Sequence, residues 1–207
     1  MARRETTDVL HKARMILSTA QLGLSDLEGE VPTRRVPGLH NVIVFGRAVT
    51  FVLQNLRTID ATAFDEWYLP RQRTMKADPL MRYFNKLRTT LEKEGGSASG
   101  SGLFIEKLNM ADLDPIMAEG PPGALGFFIG DEFGGSGWEI RVEGGATQKY
   151  YIGLPKSVRM RWEMHLPDPP TEHLGQPIAD TSAAGLSRLF LGYIERLLVD
   201  AETHFAA

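Results

Sequence analysis

The chain has 207 residues, 43% of them hydrophobic and 24% charged, with 23 lysines and arginines against 26 aspartates and glutamates. A net charge of -3 excludes general coating of nucleic acid, so any phosphate contact has to come from a local basic patch. The absence of cysteine excludes disulfides, thiolate metal sites and cysteine nucleophiles.

The opening MARRETTDVLHKAR lacks the apolar core of a secretory signal, and the chain reads as cytoplasmic with no membrane partner. No apolar run approaches the roughly 20 residues that a bilayer span needs. Leu10, Ala13, Ile16, Leu17, Ala20 and Leu24 recur at three- and four-residue steps and predict a helix over 6–24, capped by Thr6, Thr7 or Asp8. Residues 28–38 hold two prolines and Arg34-Arg35 and read as a loop. The stretch 39–58 has strand-like β-branched content, but Val42, Phe45, Val49, Val52, Leu53 and Leu56 keep helical spacing. A strand of about 18 residues would far exceed the usual length, so a largely buried helix is expected there.

Residues 62–74 predict a short helix ending near Pro70. Asp78 as cap and Pro79 at the first position open the next helix, with Leu80, Phe84, Leu87 and Leu91 as its apolar stripe and Gly95-Gly96 as its stop. EGGSASGSG reads as a flexible connector. From 102 to 166, LFIEKL, GFFIGDEF, WEIRV, KYYIGL and RMRWEMHL predict a small sheet of four or five strands punctuated by glycine turns. Residues 167–180 contain four prolines and read as a linker. Residues 181–205 are strongly helical, with an apolar face too broad to stand alone, and should return to the first helices.

The expected fold class is therefore α+β and mainly α: an antiparallel helical bundle with a small antiparallel β-sheet inserted before the last long helix. Residues 1–96 form the first part of the bundle, 97–178 the β-rich insertion and linker, and 179–207 the helix that completes one composite domain.

No phosphate loop, dinucleotide-binding turn, metalloprotease helix or nucleophile elbow is present. GDEFGGSG reads as a hairpin turn. His11, His40, His165, His173 and His204 show no metal-ligand spacing, so no metal and no cofactor is expected. His11, one step from the first apolar stripe, is placed to line an interhelical groove. Phe64-Asp65-Glu66-Trp67-Tyr68 reads as an acidic first turn beside core aromatics.

The basic stretch is more informative. Arg71, Arg73, Lys76, Arg82, Lys86, Arg88 and Lys93 stand against only Asp78 and Glu92. Such local charge can hold phosphates even in an acidic chain. Arg47, inside an apolar helix, must be paired, with Asp65 or Glu66 as candidates, or border a cleft. The candidate ligand-binding set is Arg47, Arg82, Lys86, Arg88 and Lys93.

The helical order, the helix DPLMRYFNKLRTTLEKEG and the long final helix resemble the HEPN superfamily of bacterial and archaeal proteins. Members are small helical bundles, often dimers, and many are metal-independent endoribonucleases of toxin and defence systems. The family hallmark is an Arg followed four to six residues later by His. Arg88 stands at the Arg position, Thr89 replaces the usual polar residue, and Lys93 or Glu94 falls where the His belongs. The resemblance covers roughly 6–96 and the last helix. It implies a homo-oligomer that acts by binding RNA, a nucleotide or a protein partner, because the residue that carries the proton is replaced. Two alternatives stay open: an endoribonuclease in which Arg88 works with Lys93, Glu94, His11 or His40, and a structural subunit whose sheet docks a partner chain.

Overall fold

The computed structural model describes residues 5–94, 100–131 and 134–205, with side chains described for all of these except 32, 94, 100–106 and 160–163. The protein is α+β and mainly α, with helices forming an antiparallel bundle and short antiparallel strands inserted before the last long helix. It divides into two compact units: Met1–Glu30, Arg34–Ser99 and Leu166–Ala207 form one, and Gly100–His165 with Val31–Thr33 form the other.

The first unit is helical. Helix α1 (Thr6–Glu28) buries Leu10, Ala13, Leu17 and Ala20 of the expected stripe, together with Val9 and Leu27, while Ile16 and Leu24 are half-buried. It runs past the expected end, and none of the expected caps serves: Glu5 occupies that position without a side-chain bond. Asp8 lies inside the first turn, where its charge still complements the helix dipole.

Helix α2 (Pro32–Leu53) corrects the expected loop. Pro32 sits at the first helical position, where a missing N–H costs nothing, and Pro37 lies within the following turns. Gly38, expected in that loop, is a packing contact instead. A Cβ there would lie 2.5 Å from the Gly23 carbonyl oxygen, and one on Gly23 would lie 2.7 Å from the Gly38 carbonyl oxygen. By length and composition, residues 33–58 are apolar enough to cross a membrane, with mean hydropathy 1.5, contrary to the expectation that no run comes near this. In this unit, however, Leu39, Val42, Ile43, Val49 and Leu53 are packed in the bundle core.

A 3-10 segment, Gln54–Thr58, leads to α3 (Ala61–Ala77), which Asp60 caps by accepting from the Ala63 amide. This helix continues through Pro70, against the expected stop. Phe64, Trp67 and Tyr68 before the proline and Met75 after it are all buried, so packing on both sides outweighs the cost of the interruption. Asp78 ends α3 through its backbone N–H and caps α4 (Pro79–Glu94), accepting from the Met81 amide at 2.9 Å.

Beyond the strands, the expected linker contains a small hairpin, β6 (Glu172–His173) and β7 (Gln176–Pro177). Leu174 and Gly175 turn it with φ of 51° and 73°, the left-handed pair that a tight hairpin needs. His173 anchors the hairpin: its Nδ1 lies 3.1 Å from both Asp78 carboxylate oxygens, and the Leu174 amide donates to Asp78 at 2.7 Å. Asp78 is 4% exposed and His173 8%. The Tyr83 hydroxyl donates to the Pro167 carbonyl at 2.6 Å.

Helix α6 (Ala183–Phe205) returns to the bundle as expected. Phe190 stacks on Phe84 at 4.1 Å and 3°, and Gly46 of α2 gives it room. Arg14 of α1 bonds to Glu202, and Arg188 pairs with Glu28 at 2.7 Å.

The second unit holds two ladders rather than one sheet. Strand β1 (Gly100–Lys107) pairs antiparallel with β5 (Arg159–His165), while β2 (Ala124–Phe128), β3 (Ser136–Arg141) and β4 (Thr147–Ile152) form a three-stranded meander. A short helix, α5 (Asp114–Ala118), precedes β2. Leu113 and Trp138 are buried, and Phe127 meets Trp138 edge to face at 5.1 Å. In GDEFGGSG the described residues fit the expected hairpin turn between β2 and β3: the Gly134 N–H donates to the Asp131 carbonyl and the Gly135 N–H to its carboxylate, while Glu132 and Phe133 lie outside the described residues. Lys149 and Tyr151 hold the other Asp131 carboxylate oxygen at 2.8 and 2.7 Å.

Candidate anion-binding pocket

Because α3 and α4 diverge from a shared corner at Asp78, a crevice opens between them. Its volume is about 570 Å³, including the space at its mouth. Tyr68, Met75 and Met81 form an apolar floor, each nearly inaccessible. Lys76 and Arg82 stand next to the corner, one from each helix. Gln72, Asn85 and Arg47, the last from α2, complete the lining. Three cations thus face one crevice, and its described lining contains no carboxylate.

Arg47 is held in place by neutral groups. Its Nε donates to Asn85 at 3.1 Å, its Nη1 to Thr50, and its guanidinium lies 4.7 Å from the Phe51 ring centre. Burial pulls its pKa below the ordinary value, the nearby Tyr68 pulls it back, and the charge of Arg88 lowers it again. Among the described residues no carboxylate pairs with Arg47, so of the two possibilities for this charge it borders a cleft. Asp65 pairs instead with Arg57 at 2.9 Å. Burial raises the Tyr68 pKa, and the charge of Arg47 opposes that shift. The phenol therefore stays neutral and able to donate.

The remaining sequence candidates are distributed around this crevice. Arg82 and Arg47 are brought together in it. Lys86 and Lys93 are exposed on α4 and share the helix face of Arg82, outside the lining. Arg88 pairs with Glu92 at 2.7 Å and lies 5.0 Å from the Phe51 ring centre. His11 is exposed on α1, and the side chain of Glu94 lies outside the described residues. Arg71, counted with the basic stretch, bonds to Asp200 and lies over Trp67. Sequence reasoning missed Tyr68, Gln72, Met75, Met81 and Asn85 as lining residues. The positions 68, 72, 75 and 76 share a face of α3 only if that helix continues past Pro70. Phe51, expected within a buried helix, is 43% exposed beside Arg47 and Arg88.

The arrangement can attract an anion, hold it by charge-assisted hydrogen bonds and shield its apolar part against the floor. Over residues 34–107 the chain is similar to the family described as bacteriophage lambda protein ea47, and every residue lining the crevice falls within that stretch. No curated protein and no solved structure matches the chain.

Proposed function

We propose that this protein acts by binding, and that it takes a phosphate-bearing ligand, RNA or a nucleotide, in the crevice between α3 and α4. The observation that carries this reading is the meeting of Arg47, Lys76 and Arg82 around an apolar floor with no carboxylate in the described lining. A charged group left without an opposite partner at a cleft is suited to an incoming one. The HEPN-like helical order agrees with a binding role, as does the engagement of Arg88 by Glu92. Arg88 is thereby occupied at the position where that family keeps its catalytic arginine. The partial likeness to a bacteriophage family supports a prokaryotic setting, with a role in defence, a cytoplasmic location and a self-associated state as parts of the proposal.

The test is incubation of the purified protein with mixed cellular RNA in the presence of EDTA, with wild type beside Arg88→Ala and Arg47→Ala. The expected result is retention of RNA by wild type and Arg88→Ala, loss of retention by Arg47→Ala, and no cleavage by any. RNA cleavage that disappears in Arg88→Ala would overturn the binding reading in favour of an endoribonuclease.

A further inference from the structure

Building on that reading, we infer that the crevice takes the phosphorylated end of a single RNA strand, a phosphate monoester, rather than the middle of a strand. Its shape is the first reason. The described lining is compact: Lys76 and Arg82, on either side of Asp78 in sequence, share it with Arg47, and buried Tyr68, Met75 and Met81 back it. A strand passing through needs cations repeated along a continuous groove, whereas three cations gathered around one compact crevice suit a terminal group.

Charge is the second reason. A monoester carries about -1.5 to -2 charges at neutral pH, more than a backbone diester with its single charge. Lys76 and Arg82 are free of ion pairs among the described residues, and Arg47 faces the same space. The third reason is what lies next to the mouth. The exposed Phe51 ring lies beside Arg47, with the Arg47 and Arg88 guanidiniums at 4.7 and 5.0 Å from the ring centre. An exposed aromatic ring beside a pocket-lining arginine is a place for an unpaired base to stack. The terminal phosphate then sits at the corner and the first base reaches Phe51. A free mononucleotide carries the same group and competes for the same place.

The experiment is fluorescence anisotropy with three ten-nucleotide RNAs of one sequence: 5′-phosphorylated, 3′-phosphorylated, and hydroxyl at both ends. Inorganic phosphate, adenosine monophosphate and a phosphoserine peptide serve as competitors. One phosphorylated RNA should bind about tenfold or more tightly than the hydroxyl-ended RNA, the gain expected from a charge-assisted contact. Arg82→Ala should remove that difference. Phe51→Ala should weaken all three RNAs while keeping the ratio. The mononucleotide should compete, and the peptide should not.

Equal affinity for all three RNAs, lost in Arg47→Ala, would overturn recognition of the end and leave the binding reading intact. Failure of folded wild-type protein, checked by circular dichroism, to bind any RNA would overturn both. Binding of the phosphopeptide alone would also overturn both and make the site a protein-recognition pocket.

Discussion

Asp78 serves three partners at once: the Met81 amide, the Leu174 amide and the His173 ring. Burial alone would raise its pKa, but the two amides and the histidine outweigh burial and hold it below the ordinary value. A carboxylate whose folded pKa is depressed stabilises the protein fully above the unfolded pKa. That contribution is lost as pH falls through the folded one. Asp78→Asn keeps a capping side chain and removes the charge, so it should cost about 2 kcal/mol at pH 7. In urea unfolding, the gap to wild type should then shrink below about pH 4. A gap unchanged down to pH 2 would show that the charge contributes nothing. The capping role was legible in Asp78-Pro79, because that signature is local. The pairing with His173 was not, since it joins residues 95 positions apart across a stretch that prolines made look like linker.

At the scale of the element, the sequence signals that misled were prolines and glycines. Pro70 lies inside a helix because buried neighbours on both sides hold the turns together, whereas Pro37 has buried neighbours, Gly38 and Leu39, only after it. Gly23 and Gly38 are helical glycines whose purpose is close approach of α1 and α2. Gly23→Ala should destabilise by about 1–3 kcal/mol through overpacking, although Ala is the better helix former. Gly192 in α6 provides the contrast, because a Cβ there meets only the Arg196 guanidinium, at 3.6 Å. Gly192→Ala should stabilise by about 0.5–1 kcal/mol. Chemical denaturation of both variants checks the pair, and the account of Gly23 fails if its variant is as stable as wild type. Apolar periodicity did give the long helices and the five longer strands in order, because burial imposes it on each element separately, but it missed the short α5 and the β6–β7 hairpin. It gives no information on which ladders join, and so the inserted strands form two ladders where one was expected.

At the scale of the whole molecule, the insertion begins and ends at one place. Gly100 pairs with His165 at the end of the β1–β5 ladder, so the two junctions lie about 4.5–5.5 Å apart at Cα. Replacing 100–165 by a short Gly-Ser link should leave the helical signal and the RNA affinity of the bundle intact, as measured by circular dichroism and anisotropy. Loss of cooperative unfolding in that variant would show that the helical unit depends on the inserted one. The crevice itself was half legible. Its cations stood out as a run of like charge, but its floor required knowing where α3 ends.

The contact between α1 and α6 has a consequence for how the protein comes into being. Arg14 meets Glu202 across 188 positions of sequence, and Phe84 waits for Phe190. On a ribosome adding about 5–20 residues per second, several seconds separate the emergence of α4 from that of α6. The strands of the insertion find their partners during that interval. The faces of α1 and α4 that pack on α6 do not, and they stay uncovered until α6 has emerged. The nascent chain is therefore most exposed to aggregation, and most in need of a chaperone, in the interval before α6 appears.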